Sequence, residues 1–275
     1  MKWPLLDDAG FRAGAIIVAA FIAMAILSLV WTPYSVTAID AASRLAPPSL
    51  AHWLGTNPLG RDVLSLIMAG ARTTILVAAT AVALGMALGV PLGLLASARG
   101  GVTDDAVMRA SDVIFAFPAL ILAILLTAIN GPGSLNAIIA IGVFNIPVFA
   151  RLARGAALPI WTRGFVQSAR TSGLGQVEIS LRHILPNVAP ALIVQGTVQF
   201  SLAVLAEAGL SYVGLGAQPP AASWGRMLAE SQTLIVSAPW LTIFPGVAIF
   251  LFVLGLNLMG DGLRRRIDPH QRGAL

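Results

Sequence analysis

Residues 161–187, WTRGFVQSARTSGLGQVEISLRHILPN, form the long polar stretch between two apolar runs of membrane-spanning length, and the chain is read outward from them. Thr162 is an expected N-cap for a short helix carrying Phe165, Val166 and Ala169. Gly173 falls just past that helix, where glycine's left-handed conformation ends helices, and Leu174 and Gly175 complete a tight turn. A second helix then places Val177, Leu181, Ile184 and Leu185 on one stripe, and Pro186 is expected to stop it. The segment is therefore expected to be a polar, positively charged helix pair projecting from a membrane domain.

Composition supports the membrane part of that reading. Hydrophobic residues make up 57% of the 275, charged residues 11%, and mean hydropathy is +0.85, far too apolar for a soluble domain of this length. The net charge is +5, but the arginines lie between apolar runs rather than in one patch interleaved with aromatics. Membrane topology thus explains the charge better than nucleic acid does. The absence of cysteine excludes disulfides, thiolate metal sites and a cysteine nucleophile.

Six runs reach the ~20 residues needed to cross a hydrocarbon core: 13–31, 74–95, 112–129, 135–152, 188–208 and 239–259. The first is expected to persist as a span, because Trp31, Thr32, Pro33 and Tyr34 make a poor cleavage site. With the N-terminus inside, the inner segments hold 13 of the 17 Lys and Arg residues and the outer ones hold Arg44, Arg61, Arg72 and Arg226. The expected fold is an all-α integral membrane protein of six transmembrane helices with both termini cytoplasmic. Gly85, Gly89 and Gly93 give the second span a face that another helix can approach closely. Pro91, Pro118, Pro147 and Pro245 are expected to kink or break their helices.

Four motifs resemble one family. In the polar loop, Gln167, Ser168, Ala169, then Gly173, then Ile184, Leu185 and Pro186 follow the "EAA" pattern of ABC importer permeases. Gln167 stands where that family usually has Glu, and Ser168 where it has Ala. HWLGTNPLGRDVLS, from His52 to Ser65, is similar to the H-x-LGTD-x-LGRD signature of dipeptide, oligopeptide and nickel permeases, with Asn57 in place of Asp. Read physically, Gly55 and Gly60 give turns and Asp62 caps the helix that follows. Residues 205–231, which begin LAEAGLSYVGLGAQPPAASWG, are similar to the block after that subfamily's fifth span. NLMGDGLRRRIDPH, from Asn257 to His270, resembles its ending.

The resemblance implies the type I ABC importer permease fold. It divides the chain into an N-terminal helix with a periplasmic segment (1–73), a five-helix core (74–260) with a coupling loop at 161–187 and a periplasmic loop at 209–238, and a cytoplasmic tail (261–275). It also implies partners: a second homologous permease, two ABC ATPases that fit the loop and carry ATP and Mg, a periplasmic substrate-binding protein and the lipid bilayer. The implied place is the bacterial inner membrane. Gln167, Ser168, Ala169, Gly173, Ile184, Leu185 and Pro186 are the implied ATPase-coupling residues.

The residues themselves point away from chemistry in this chain. The one lysine is Lys2, so a nucleotide-binding P-loop is excluded, and there is no HExxH or GxSxG. His52, His183 and His270 lie in separate segments and form no metal set. Neither a catalytic residue, a metal site nor a bound cofactor is expected, and no nucleic-acid partner. Glu207, the ionisable residue inside a span, is a candidate for the substrate pathway or periplasmic gate; a structural role beside the outer loop stays equally open. Asp112 and Asp261 are expected at inner helix ends as anchors or caps. An ion-coupled transporter or channel would call for intramembrane acidic or histidine relays and often repeated halves, which the sequence lacks, and a non-transporting scaffold is the third reading. Peptide is the leading substrate, with nickel, opine, glutathione-like compounds and sugar as alternatives.

Overall fold

The glycine face of the second apolar run organises the bundle. In the computed structural model, which describes residues 8–267, α2 (Val63–Arg99) packs along α5 (Ser134–Trp161) through Gly85, Gly89 and Gly93. A β-carbon at any of the three would overlap Asn145, Ile146 or Ala150 of α5. The backbones are therefore in contact, and dispersion between them replaces the hydrophobic drive that lipid does not supply. α2 has 37 residues, about 55 Å at 1.5 Å each, so it exceeds a ~30 Å hydrocarbon core. Its first turn is capped by Asp62, whose Oδ2 accepts from the Ser65 amide and hydroxyl, both at 2.8 Å.

Around this pair stand α1 (Ala9–Leu27), α8 (Leu185–Tyr212) and α10 (Trp240–Ile267). α1 packs on α10 where Gly14 meets Gly255 and Leu258. Asp8 caps α1 through the Phe11 amide at 3.1 Å and reaches Arg265 of α10 at 2.8 Å. These two partners, the amide first, hold the Asp8 carboxyl below the usual carboxylate range, so the tie is already complete at neutral pH.

The structure differs from the sequence expectations in several places. The third expected span, 112–129, is not one helix. α3 (Gly101–Ala116) and α4 (Ala119–Asn130) meet at a 78° bend. Phe117, held extended before Pro118 (φ −101°, ψ 113°), makes the break. Five helices are each long and apolar enough to cross a membrane, and a sixth crossing requires counting the bent pair as one. Asp112 consequently lies within α3, paired with Arg151, while Asp104 pairs with Arg154. Asp261 likewise lies inside α10 rather than at its end.

The second difference is that Thr162 does not cap a helix start. It ends α5, its hydroxyl donating to the Pro159 carbonyl at 3.0 Å, and α6 (Gly164–Thr171) begins after Arg163. Third, Pro186 does not stop the second loop helix. α7 (Gln176–Ile179) passes through a π turn at Ser180–Ile184 straight into α8, giving one helical run, Gln176–Tyr212. In the π turn the Leu185 amide reaches back to the Ser180 carbonyl; the wider turn accommodates the ring and missing N–H of Pro186. Fourth, Val177 and Leu181 are exposed, whereas Ile179 and Ile184 are fully buried. Lys2, His270, Arg272 and the end of the 261–275 tail lie outside the described residues.

Candidate functional site

The loop between α5 and α8 is built from local rules. α6 buries Val166 and Ala169 and exposes Gln167 and Ser168. It ends in a Schellman arrangement: the Gly173 amide bonds the Arg170 carbonyl at 3.0 Å and the Leu174 amide bonds the Ala169 carbonyl at 3.1 Å. Gly173 carries the turn at φ +87°, a conformation that strains residues with a β-carbon. A β-carbon there would meet nothing within 4 Å, so the requirement is purely one of backbone.

Trp161 is the floor of this loop. Its indole donates to Ser97 Oγ of α2 at 3.2 Å, its carbonyl accepts from Gln167 Nε2 at 3.0 Å, and Arg170 lies over its ring at 5.1 Å. Gln167 thus uses its amide to hold α6 to the end of α5, which the carboxylate of a Glu has no proton to do. Phe165 approaches His183 at 6.3 Å between ring centroids, linking α6 to the π turn. Of the other candidate coupling residues, Ile184 is buried, Leu185 half-buried and Pro186 exposed. Val177, Leu181 and Leu185 line an open apolar groove with Val90, Leu94 and Ala98 of α2.

The opposite end of the bundle holds Glu207. It is buried, as are Ser211 and Thr74. Its Oε1 accepts from the Ser211 hydroxyl at 2.7 Å, Ser211 Oγ in turn accepts from the Ala217 amide at 3.2 Å, and Glu207 Oε2 has no hydrogen-bond partner. Around them, α9 (Trp224–Ser231) is inserted against the bundle. Trp224 is fully buried, donates to the Ile67 carbonyl at 3.1 Å and meets Phe21 and Phe252 edge-on. Gly225 abuts Ala208 so closely that a β-carbon would overlap its carbonyl. The 52–65 segment locks on beside them: His52 Nδ1 lies 3.0 Å from Asp62, Asn57 Oδ1 accepts from the Leu59 and Arg61 amides, and Trp240 donates to the Thr56 carbonyl. Glu207 and the junction residues Ile184, Leu185 and Pro186 of the 161–187 loop therefore lie towards opposite ends of Gln176–Tyr212. Trp161 and Trp224, which anchor the two ends, were not singled out as anchors in the sequence; an indole beside a loop motif was the available signal.

Among the described residues no cluster of His, Cys, Asp and Glu can hold a metal ion. The charged groups at the loop end are mainly structural pairs: Asp104 with Arg154, Asp112 with Arg151 and Glu178 with Arg182.

Residues 89–273 match the family described as binding-protein-dependent transport system inner membrane component. The dipeptide transport system permease protein DppC of Alkalihalophilus pseudofirmus is 41% identical over 259 residues, covering 94% of this chain and 85% of that protein. The glutathione transport system permease protein GsiD of Pectobacterium atrosepticum is 42% identical, with 94% and 86% covered. The probable D,D-dipeptide transport system permease protein DdpC of Escherichia coli K12 is 40% identical, with 93% and 87% covered. The fold is similar to a chain of the MetNI methionine ABC transporter in an inward facing conformation, with a TM-score of 0.60 at 21% identity, covering 72% of this chain and 94% of that one. The chain belongs to the family of binding-protein-dependent transport system inner membrane components, and it is the permease subunit of an ABC importer rather than an enzyme.

Proposed function

We propose that this permease pairs with a second, homologous permease to form a path for peptides or related small solutes across the bacterial cytoplasmic membrane. Two ABC ATPases dock on 161–187 and carry ATP and Mg; a periplasmic binding protein delivers the solute to the other face. The bent pair α3–α4 is one crossing of six, both termini are cytoplasmic, 1–73 and 209–238 form the outer apparatus, and 261–275 is an inner tail. One observation carries this reading: α6, closed by Gly173, leads into a helix that continues unbroken to Tyr212. Movement of the loop by an ATPase is delivered along that rod to the outer end. Gln167, Ser168 and Ala169 present the docking helix, Gly173 sets its direction, and Ile184, Leu185 and Pro186 form its junction with the span. Glu207 serves as the joint of the outer gate, a role its burial and its bond to Ser211 support.

Peptide is favoured because relatives about 40% identical carry dipeptide and glutathione names. The test is reconstitution of the four-subunit complex with its binding protein in proteoliposomes. ATP-dependent uptake of a labelled dipeptide is expected; uptake of nickel, an opine or a sugar in its place would replace the peptide reading. Cysteines at Ser49 and Ser223 should label from the periplasm and one at Ser172 from the cytoplasm, and the reverse pattern would overturn the topology.

A further inference from the structure

α2 packs along α8 but stands apart from α7, and the space between them is the open groove that Val90 and Leu94 share with Val177, Leu181 and Leu185. Its two walls run in opposite directions. Thr74 of α2 and Ala208 of α8 both meet α9, at Trp224 and Gly225, whereas Arg99 and Gln176 line the groove at the far ends of α2 and of the 176–212 run. From Val90 to Arg99 the groove follows α2 for about 13 Å, close to the ~15 Å of one hydrocarbon leaflet.

Polarity is graded along that length. Val90, Leu94 and Leu185 form the deep part, whose α2 residues fall in the apolar run 74–95, while Arg99, Gln176 and Ser180 stand at the mouth, beyond the apolar runs 74–95 and 188–208. The mouth is open because α2 ends at Arg99, and Gly100 and Gly101, at φ +63° and +51°, turn the chain away into α3. A groove that is apolar at membrane depth and polar at the surface fits an amphiphile standing in the same sense as the bilayer's own lipids. The charge at the mouth selects among them. Arg99 is the ionised group among the described lining residues, with no carboxylate there to receive the ammonium of a zwitterionic headgroup. Complementarity therefore favours a phosphate carrying net negative charge.

We propose that this groove binds an anionic phospholipid of the inner leaflet, one acyl chain lying along Leu94, Leu181 and Leu185 and the phosphate meeting the Arg99 guanidinium and the Gln176 amide. The proposal rests on the reading that the 161–187 loop is cytoplasmic. The acyl chain covers Val177 and Leu181, which the protein leaves 71% and 57% exposed, and removal of that surface from water favours binding. The lipid ties the base of the loop to the membrane at the place where α2 and α7 stand apart.

The experiment places a photo-reactive phenylalanine at Leu181 in the four-subunit complex, held in nanodiscs of dioleoylphosphatidylcholine with a minority of dioleoylphosphatidylglycerol. Mass spectrometry after irradiation should show phosphatidylglycerol adducts enriched about fivefold over that lipid's share of the disc, the preference one arginine gives an anionic headgroup. Arg99→Lys should keep most of the enrichment and Arg99→Gln should abolish it, with subunit assembly unchanged in both. Gln176→Glu, which sets a carboxylate beside the phosphate, should lower it as well, so the outcome does not hang on one substitution. Adducts in proportion to the disc composition, enrichment that survives both Arg99→Gln and Gln176→Glu, no lipid adduct at all, or a cross-link to an ATPase or to the second permease in its place overturns the site and leaves the importer reading standing. Labelling of a cysteine at Ser172 from the periplasm overturns the site together with the topology.

Discussion

The two ends of the bundle are held by different kinds of bond. At the Glu207 end, buried and half-buried polar atoms join residues far apart in sequence: Trp224 to Ile67, Trp240 to Thr56, and Trp224 to Thr74. At the loop end, α6 is held mostly by neighbours: Gln167 to Trp161, Gly173 to Arg170, and Leu174 to Ala169. Buried long-range bonds unfold together with the core, whereas a locally closed unit opens and moves by itself. The difference teaches that the 52–65 and α9 segments belong to the bundle's folding unit, and the loop is a separate part attached to one end of a rod.

The largest expected break of that contrast is Trp224→Ala. Emptying a fully buried indole that meets Phe21 and Phe252 should cost about 3–5 kcal/mol and lower the unfolding temperature of the purified permease in detergent. A normal melt would show that the Trp224 end is not part of the core. Next comes Asp62→Ala, which removes the cap of α2 and the partner of His52. It should cost about 2 kcal/mol, read by the same melting curve, and His52→Ala should add little once Asp62 is gone.

Gly173→Val is expected to cost roughly 1–2 kcal/mol of backbone strain, confined to the loop. The spans should melt normally while ATPase association and uptake fall together; Gly173→Asn, which tolerates the left-handed region, should retain most of both. Normal uptake by the valine variant would show that this turn does not couple the subunits. The smallest effect is expected for Gln167→Glu. It loses the bond to the Trp161 carbonyl at a cost of about 1 kcal/mol or less, so complex assembly should weaken slightly with no change in melting. Tighter assembly would show instead that the partner surface favours the carboxylate over the amide.

Much of this was legible from sequence where the governing physics is local or periodic. The Gly173 turn, the Asp62 cap and the turns at Gly55 and Gly60 follow from single-residue conformational rules. The four-residue spacing of Gly85, Gly89 and Gly93 announced a helix contact. What was not legible depended on partners distant in the chain. Nothing near Trp161 in sequence indicates that its indole reaches Ser97, and Glu207 could be placed among Thr74, Ser211 and Trp224 only after folding. Pro118 and Pro186 obey the same steric rule with opposite outcomes. At Pro118 the chain breaks and turns by 78°, and at Pro186 it widens and continues. The rule says that a hydrogen bond is lost, and packing decides how the helix responds.

The π turn at Ser180–Ile184 also sets an angle. A turn that closes over five residues instead of four adds one residue to the helix, and each residue advances the azimuth by about 100°. The loop helix and the span are therefore out of phase, which is why Val177 and Leu181 face the open groove while Ile184 and Val188 face the core. Deleting one residue within 180–184 would bring the two segments back into phase and swing α6 around the rod axis. The span would keep its packing, and α6 would point about a quarter turn away from its present direction.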